Sequence, residues 1–202
     1  MRDEVRKGYE DGDWPGEMGG DRELRPYEDE MLGKLLDRLE DSPDVLDIGC
    51  GTGLPFDRWL DEQGCSVTGV DIVEENLEHA RDNVPDAEFI NADFSRLDYE
   101  DDFDAVVSFY AVFHIPREEH ADLFRRMHDW LRPGGHILLT ISPEPLDEHR
   151  AEFLGGDMVW SAWSQDKTER LLRDAGFEIE DRYEEKRDDA GEHHIWVLAR
   201  AA

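Results

Sequence analysis

The sequence is poor in the features that mark several other classes of protein. Its 202 residues include only two cysteines, Cys50 and Cys65, which are too few for a disulfide framework or a thiolate metal site. No apolar run approaches the ~20 residues of a membrane-spanning helix, and no apolar segment follows the first residues as a signal peptide would require. We therefore expect one cytoplasmic domain without a membrane segment and without a bound metal.

Positive charge is also scarce. Lysine and arginine number 22, and only four of these are lysines, whereas aspartate and glutamate number 52, so the net charge is −30. The acids are scattered over every predicted helix and loop. Such a surface repels itself in dilute buffer, and the Debye length of ~3 Å in molar salt screens that repulsion. The composition predicts a salt-adapted, halophilic protein; the alternative is an acidic protein from a mesophile.

Clusters of basic residues, which would mark a nucleic-acid surface, are absent as well. This absence argues only weakly against a nucleic-acid substrate, because halophiles make even their nucleic-acid enzymes acidic. The histidines show no metal-ligand spacing with the cysteines, so we assign no metal.

Glycine, in contrast, is concentrated after the first predicted strand. Val45 to Ile48 is a short buried strand by its apolar run, and Gly49, Gly51 and Gly53 follow in a G-x-G-x-G pattern. Glycines placed directly after a strand permit a tight turn and let a ligand approach with no Cβ in the way. The third glycine of a dinucleotide fingerprint would fall on Leu54. The turn therefore suits a nucleoside ligand without a phosphate.

Strands and helices alternate from Pro26, which begins a helix. Five strands are predicted, over residues 45–48, 66–71, 87–92, 103–109 and 137–142. Residues 143–163 then hold a glycine pair and two tryptophans, and they predict an irregular insertion or lid. Two further strands, over 177–183 and 195–198, are joined by a polar connection and predict an antiparallel hairpin.

Five βα units followed by a hairpin, over roughly residues 42–200, resemble the class I S-adenosylmethionine-dependent methyltransferase fold. Any one matching stretch is unspecific, whereas five in this order and spacing are specific. The resemblance implies an α/β, Rossmann-like seven-stranded sheet that is mostly parallel, with an antiparallel last strand and helices on both faces. The stretches that carry it are Leu46–Gly53, Val70–Asp71, Asn91–Phe94, Phe103–Ser108 and Leu131–Leu138.

The same resemblance implies a site for the cofactor S-adenosyl-L-methionine. Residue chemistry agrees at three positions, where Asp71 can accept from the ribose hydroxyls, Asp93 from the adenine amine and Asp47 from the ligand ammonium. Each of these acids could instead cap a turn or a helix. The implied cofactor-binding residues are Asp47, Gly49, Gly51, Gly53, Asp71, Ile72, Asp93, Phe94 and Phe109.

The acceptor side is less defined. Methyl transfer from a sulfonium requires alignment and exclusion of water, and a general base only where the acceptor carries a proton of high pKa. His114, just past the fourth strand, is the best candidate for that base; the alternative is a polar residue in front of Pro116. Trp14, Tyr110 and Trp160 are candidate substrate-binding residues, although each could simply pack.

We therefore expect residues 1–41 to form an amino-terminal arm and helix that cover the site, and residues 42–202 to form the methyltransferase domain with a lid-like insertion at 143–163. Because no separate substrate-binding domain is present, the expected activity is methyl transfer to a small-molecule acceptor. The alternatives are a methyltransferase for tRNA or protein, and a domain that binds S-adenosylmethionine without transferring methyl. The sequence leaves open the acceptor, the acceptor atom and the oligomeric state.

Overall fold

The centre of the fold is a mixed β-sheet, seen in a computed structural model that describes residues 1–12, 22–187 and 192–202. The strands are, in chain order, β1 (Asp44–Ile48), β2 (Ser66–Asp71), β3 (Glu88–Asn91), β4 (Phe103–Ser108), β5 (Leu131–Ile141), β6 (Leu146–Phe153), β7 (Gly156–Ala162), β8 (Phe177–Arg187) and β9 (Glu192–Ala201). Seven of them form one sheet in the order β3-β2-β1-β4-β5-β9-β8, and β6 pairs with β7.

The large sheet is parallel except for one reversed strand. β1 pairs in parallel with β2 on one side and with β4 on the other, whereas β9 runs antiparallel to both β5 and β8. Val45, Leu46 and Ile48 are fully buried because helices cover both faces, and this explains the continuous apolar run of β1. The predicted fold class is confirmed. Successive strands are added on one side of β1 up to β3 and on its other side from β4 onwards. This reversal of strand order opens a crevice at the carboxyl ends of β1 and β4.

Helices pack on both faces of the sheet. Pro26 begins its helix as predicted, and Met31, Leu32 and Leu35 lie fully buried on one apolar layer. The opposite layer receives Leu123 and other side chains of the helix before β5. The described helices are α1 (Arg2–Asp11), α2 (Pro26–Leu36), α3 (Phe56–Glu62), α4 (Glu74–Asn83), α5 (His120–Trp130) and α6 (Gln165–Asp174). None of them is long and apolar enough to cross a membrane.

The insertion at 143–163 is regular, contrary to the prediction. β6 and β7 form an antiparallel hairpin in which Phe153 pairs with Gly156. The two residues between them, Leu154 and Gly155, have φ values of 51° and 84°, as a two-residue hairpin turn requires. β7 is largely buried, whereas β6 is largely exposed and carries charged side chains at half of its positions. An exposed strand needs no apolar alternation, so the sequence pattern did not show it. The glycine pair belongs to this turn.

The amino-terminal residues form helix α1, which packs on β7. The two backbones touch: a Cβ added at Gly156 would lie 2.0 Å from the Gly8 carbonyl oxygen, and one added at Gly8 would lie 2.4 Å from the Asp157 carbonyl oxygen. Glycine at both positions permits this close approach. The helix and the hairpin therefore form one covering unit above the large sheet.

Candidate cofactor and acceptor site

A cavity of about 580 Å³ opens at the carboxyl ends of β1, β2 and β4, within the size range of roughly 300–1,000 Å³ usual for small-molecule sites. At one end its lining includes Gly49, Gly51 and Asp71, and at the other it includes His114 and Trp160. The covering unit of α1 and the β6–β7 hairpin forms the wall at the second end. The cavity therefore joins the predicted cofactor residues to the predicted acceptor residues.

The glycine turn is shaped by the end of β1. Gly49, Gly51 and Gly53 all adopt positive φ values, of 82°, 58° and 73°. A Cβ added at Gly49 would lie 2.3 Å from the Ala111 Cβ, so only glycine fits between the turn and the segment after β4. Gly49 and Gly51 line the cavity. Gly53 is not among the lining residues. It packs towards Val84, the residue after α4, whose side chain would lie 3.2 Å from a Cβ added at Gly53.

Asp71 stands at the end of β2, beside the glycine turn. One carboxylate oxygen accepts from the Gly51 backbone N–H at 3.0 Å, and the other accepts from Val73 at the start of α4 at 2.8 Å. Burial raises its pKa, and these backbone donors act in the opposite direction. Asp71 and the neighbouring Ile72 both line the cavity. The carboxylate thus ties the glycine turn to the helix and faces the ligand space.

The predicted adenine end lies around Phe94 and Asp93. Phe94 lines the cavity, whereas Asp93 is not among the lining residues. The Asp93 carboxylate accepts from the Ser95 backbone N–H at 3.0 Å and pairs with the Arg2 guanidinium of α1 at 2.8 Å. These partners hold the carboxylate in a turn cap and an ion pair, and adenine binding at Asp93 stays a prediction.

Asp47 lies at the base of the cavity and is 2% exposed. Its carboxyl contacts that of Asp57 in α3, a buried acid that the sequence analysis missed. Burial raises the pKa of Asp47 to about 7 and that of Asp57 well above its ordinary value. The sequence signal for Asp57 was an acid on the buried face of a short helix. Phe109 also lines the cavity, and its ring centroid lies 4.2 Å from that of Phe56.

His114 is held between α1 and β7. Its Nε2 lies 3.0 Å from the Tyr9 hydroxyl, and its Nδ1 lies 3.3 Å from the Val159 carbonyl oxygen. Because a carbonyl can only accept, Nδ1 carries the proton and Nε2 accepts from Tyr9. Burial lowers the pKa of His114 to about 4 and raises that of Tyr9, so both side chains are uncharged at neutral pH. The sequence singled out His114 but gave no signal for Tyr9 as its partner.

Tyr110 lines the cavity with its backbone in the left-handed region, at φ 59°. Its hydroxyl donates to Glu185 at 2.8 Å, and its backbone N–H donates to the Thr140 hydroxyl at 2.5 Å. Glu185 is buried and also accepts from the hydroxyl of Tyr27 at 2.6 Å and the indole of Trp196 at 3.0 Å. These bonds fix the Tyr110 ring, and a strained backbone of this kind is characteristic of functional sites.

Trp160 of β7 lines the acceptor end of the cavity. Its ring centroid lies 6.0 Å from that of His114 and 5.9 Å from that of His149. Trp14, the third predicted substrate-binding residue, lies outside the described residues. The structure thus brings Tyr110, His114 and Trp160 to one cavity.

The family comparison covers the strands around the glycine turn. A family model described as a methyltransferase domain matches residues 45–135. A 27-O-demethylrifamycin SV methyltransferase of Amycolatopsis mediterranei is 35% identical over 166 residues, which are 75% of this chain and 59% of that protein. The chain spans between 32% and 59% of the length of the first curated relatives it matches.

Two solved structures share the fold. An S-adenosylmethionine-dependent methyltransferase of Mesorhizobium loti has a TM-score of 0.67 and 25% identity, with 83% of this chain and 96% of that chain covered. A 1,6-didemethyltoxoflavin-N1-methyltransferase of Burkholderia thailandensis, solved with its acceptor and S-adenosylhomocysteine, has a TM-score of 0.70 and 25% identity, covering 86% of this chain and 77% of that chain.

Proposed function

We propose that this chain, which contains a class I S-adenosylmethionine-dependent methyltransferase domain, transfers a methyl group from S-adenosylmethionine to a small-molecule acceptor. The observation that carries this proposal is the continuous cavity, which runs from the glycine turn to a wall of aromatic side chains around His114 and Trp160. A cofactor and a compact acceptor would share this space, covered by α1 and the β6–β7 hairpin. Such a covered space suits a small acceptor better than a folded macromolecule.

S-adenosylmethionine is the cofactor of this domain, and the residues at the first end of the cavity fit it. Gly49 and Gly51 present the backbone of the turn to the ligand, and Asp71 faces the ligand space for the ribose. Asp47 has a buried carboxyl oxygen without a partner among the described residues. That oxygen suits the cationic amino group of the methionine portion. When bound, the cofactor supplies a methyl group already activated on a sulfonium. The protein therefore has to align the acceptor and exclude water.

Tyr9 and His114 are positioned to take a proton from an acceptor hydroxyl or amine. The acceptor X–H would give its proton to the Tyr9 oxygen while the Tyr9 hydroxyl gives its own to His114 Nε2, 3.0 Å away. His114 then becomes an imidazolium as the sulfonium charge is lost, so the net charge of the cavity is unchanged. This balance offsets the low basicity that burial imposes on His114.

The acidic composition leads to a proposal about the salt concentration in which the protein works. The net charge of −30 and the presence of only four lysines among the 22 basic residues support adaptation to a salt-rich cytoplasm. Binding and activity should therefore be measured in molar KCl.

The first test is calorimetry with S-adenosylhomocysteine. We expect a dissociation constant in the micromolar range, on the order of −8 kcal/mol. Asp71→Ala should weaken binding by about 2 kcal/mol, because it removes charge-assisted hydrogen bonds. The matched control is Asp44→Ala, at the opposite end of β1, where Asp44 pairs with Arg132 at 2.9 Å; it should bind as the wild type does. Tighter binding of NAD than of S-adenosylhomocysteine would contradict the proposed cofactor.

The second test follows methyl label from S-adenosylmethionine into a broad panel of small hydroxyl and amine compounds, with tRNA and protein extracts assayed in parallel. We expect label in a small molecule. Label only in tRNA or protein would replace the proposal with a macromolecular acceptor. Binding without any transfer would leave a domain that binds the cofactor without catalysis.

A further inference from the structure

Asp57 is a buried acid that the proposed methyl transfer does not yet explain. It lies in the first turn of α3 and is fully buried, beside the apolar side chains of Phe56 and Leu60. Neither of its carboxyl oxygens has a hydrogen-bond partner among the described residues, apart from the carboxyl of Asp47 that it contacts. An ionised carboxylate that accepts no hydrogen bond is energetically unfavourable in a buried, apolar environment.

The contact between Asp47 and Asp57 restricts their charge. Two carboxyl groups that touch in a buried site cannot both be ionised, so the pair holds a proton between them. Asp47 lines the cavity, whereas Asp57 is not among the lining residues and stands behind Asp47 on α3. The proton therefore favours Asp57, the member with no access to a cationic ligand.

We propose that Asp57 is a positioning residue that stays protonated and donates its O–H to Asp47, so that Asp47 remains an ionised carboxylate available for the cationic amino group of the cofactor. This inference rests on the proposed function, because it takes the methionine portion of the cofactor to lie at Asp47. Removal of the donor would leave Asp47 to be protonated more readily.

The groups around the pair set its pH dependence. Asp71 from β2 and the Cys50 thiol from the glycine turn face it, and the pKa of Cys50 is raised well above its ordinary value by burial and by these acids. Arg22 lies over the Phe56 ring, with 5.7 Å between its guanidinium carbon and the ring centroid, and is paired with Glu28. Burial raises the pKa of Asp47 to about 7, and the hydrogen bond from Asp57 lowers it. Below that pH, binding of a cationic amino group at Asp47 must expel a proton.

The wild-type experiment is calorimetry of S-adenosylhomocysteine binding to the full chain in molar KCl, at pH 6 and pH 8, in buffers of different ionisation enthalpy. This probe carries the amino group but no sulfonium. We expect release of close to one proton per ligand at pH 6 and roughly none at pH 8. Binding without proton release at pH 6 would overturn the inference and leave the proposed cofactor intact. No binding at either pH would overturn both the inference about Asp57 and the proposed cofactor.

Two variants of Asp57 separate its hydrogen bond from its charge. Asp57→Asn keeps an N–H donor, whereas Asp57→Leu keeps the branched shape and removes the donor. We expect Asp57→Asn to bind S-adenosylhomocysteine as the wild type does across pH. We expect Asp57→Leu to bind about tenfold more weakly at pH 7 and to reach its full affinity about one pH unit higher.

Thermal melts and a matched control complete the test. Glu62→Leu removes an exposed acid from the same helix and should leave both affinity and its pH dependence unchanged. A pH profile that Asp57→Leu does not move would show that Asp57 only packs, and would overturn the inference. An Asp57→Asn variant as weak as Asp57→Leu would overturn it as well, because the charge of Asp57 would then be needed. If Asp57→Leu does not fold, the proton release of the wild type decides.

Discussion

At the scale of single residues, burial sets the protonation state of the ionisable groups in the site. Burial lowers the pKa of His114 to about 4 and raises that of Tyr9, so the acceptor wall is uncharged before reaction. Burial also raises the pKa of Asp47 to about 7. We propose that the cationic amino group of the cofactor lies at this acid, and that the acceptor lies against uncharged polar side chains and aromatic rings.

The first prediction concerns the bond between Tyr9 and His114. Tyr9→Phe removes the hydroxyl that lies 3.0 Å from Nε2. We expect single-turnover rates with a proton-bearing acceptor to fall about 10²-fold, whereas the affinity for S-adenosylhomocysteine stays unchanged. Tyr183→Phe is the matched control, because that ring stacks on Tyr27 at 5.0 Å and is not among the residues that line the cavity. Equal rates for the two variants would remove Tyr9 from the proton path.

A second prediction uses His120, which lies at the start of α5 and is 2% exposed. Burial lowers its pKa to about 4, below the value near 6.5 of an unfolded chain. The neutral form therefore stabilises the folded state above pH 6.5, and this contribution is lost as the pH falls towards 4. We expect the wild type to lose up to about 3 kcal/mol relative to His120→Leu between pH 7 and pH 4.

The measurement for His120 is chemical denaturation of both proteins in molar KCl. The difference between the two proteins is required because Asp47 acts in the opposite direction: its raised pKa favours the folded state at low pH. A difference in unfolding free energy that does not change with pH would show that His120 is not held neutral by burial.

The sequence predicts those site residues that follow a recognisable local pattern of strand and turn. Gly49, Gly51 and Asp71 follow buried strands, and parallel strands bring their carboxyl ends to one edge. The ion-pair partner of Asp93 is Arg2, 91 positions earlier in the chain, and the partner of His114 lies 105 positions away. Contacts of this kind depend on how α1 docks, which no local period records.

At the scale of elements, the covering unit of α1 and the β6–β7 hairpin completes the site. Gly8 and Gly156 place the two backbones in contact, and Tyr9 follows Gly8 directly. The position of Tyr9 in the cavity wall therefore depends on how closely α1 approaches β7. That residues 1–41 cover the site, with the insertion at 143–163 as a lid, stays a prediction.

The third prediction tests this contact with Gly8→Val. The added side chain would overlap the Asp157 carbonyl oxygen, 2.4 Å from a Cβ at that position, and should push α1 away from β7. We expect turnover to fall at least tenfold, because alignment is lost, while the large sheet stays folded. Gly33→Ala is the control, since nothing lies within 4 Å of a Cβ there; in a helix it should be neutral or stabilise by about 0.5–1 kcal/mol. Normal turnover in Gly8→Val would show that the covering unit does not shape the acceptor site.

The helices and strands differ in how well their apolar patterns predict them. β1 and β4 are buried on both faces and read as apolar runs, so they were predicted closely. β6 carries Asp-Glu-His-Arg on an exposed strand, and α1 buries only Val5 and Gly8, so neither shows a strong apolar period. Both are held by contact with β7, which is information from tertiary structure.

At the scale of the whole molecule, the surface must accommodate 52 acids with only 22 lysines and arginines. Some acids are paired, as where Arg132 contacts Asp44 at 2.9 Å and Asp104 at 2.7 Å. Pairing cannot neutralise a net charge of −30, so most of the excess faces solvent and repels itself. Exposed pairs contribute little individually. Stability should therefore depend on ionic strength more than on any one ion pair.

The last prediction is that the melting temperature rises steeply from dilute buffer to molar KCl, because screening shortens the range of repulsion to ~3 Å. A double variant, Glu75→Gln with Glu78→Gln, separates screening from general effects of salt on burial, since both side chains are exposed on α4. Removing these two charges should raise the melting temperature in dilute buffer and change it little in molar KCl. A melting temperature that is flat, or highest in dilute buffer, would show that the acidic surface is not an adaptation to salt. A gain from the variant that is equal at all salt concentrations would assign the effect to local helix preference instead of repulsion.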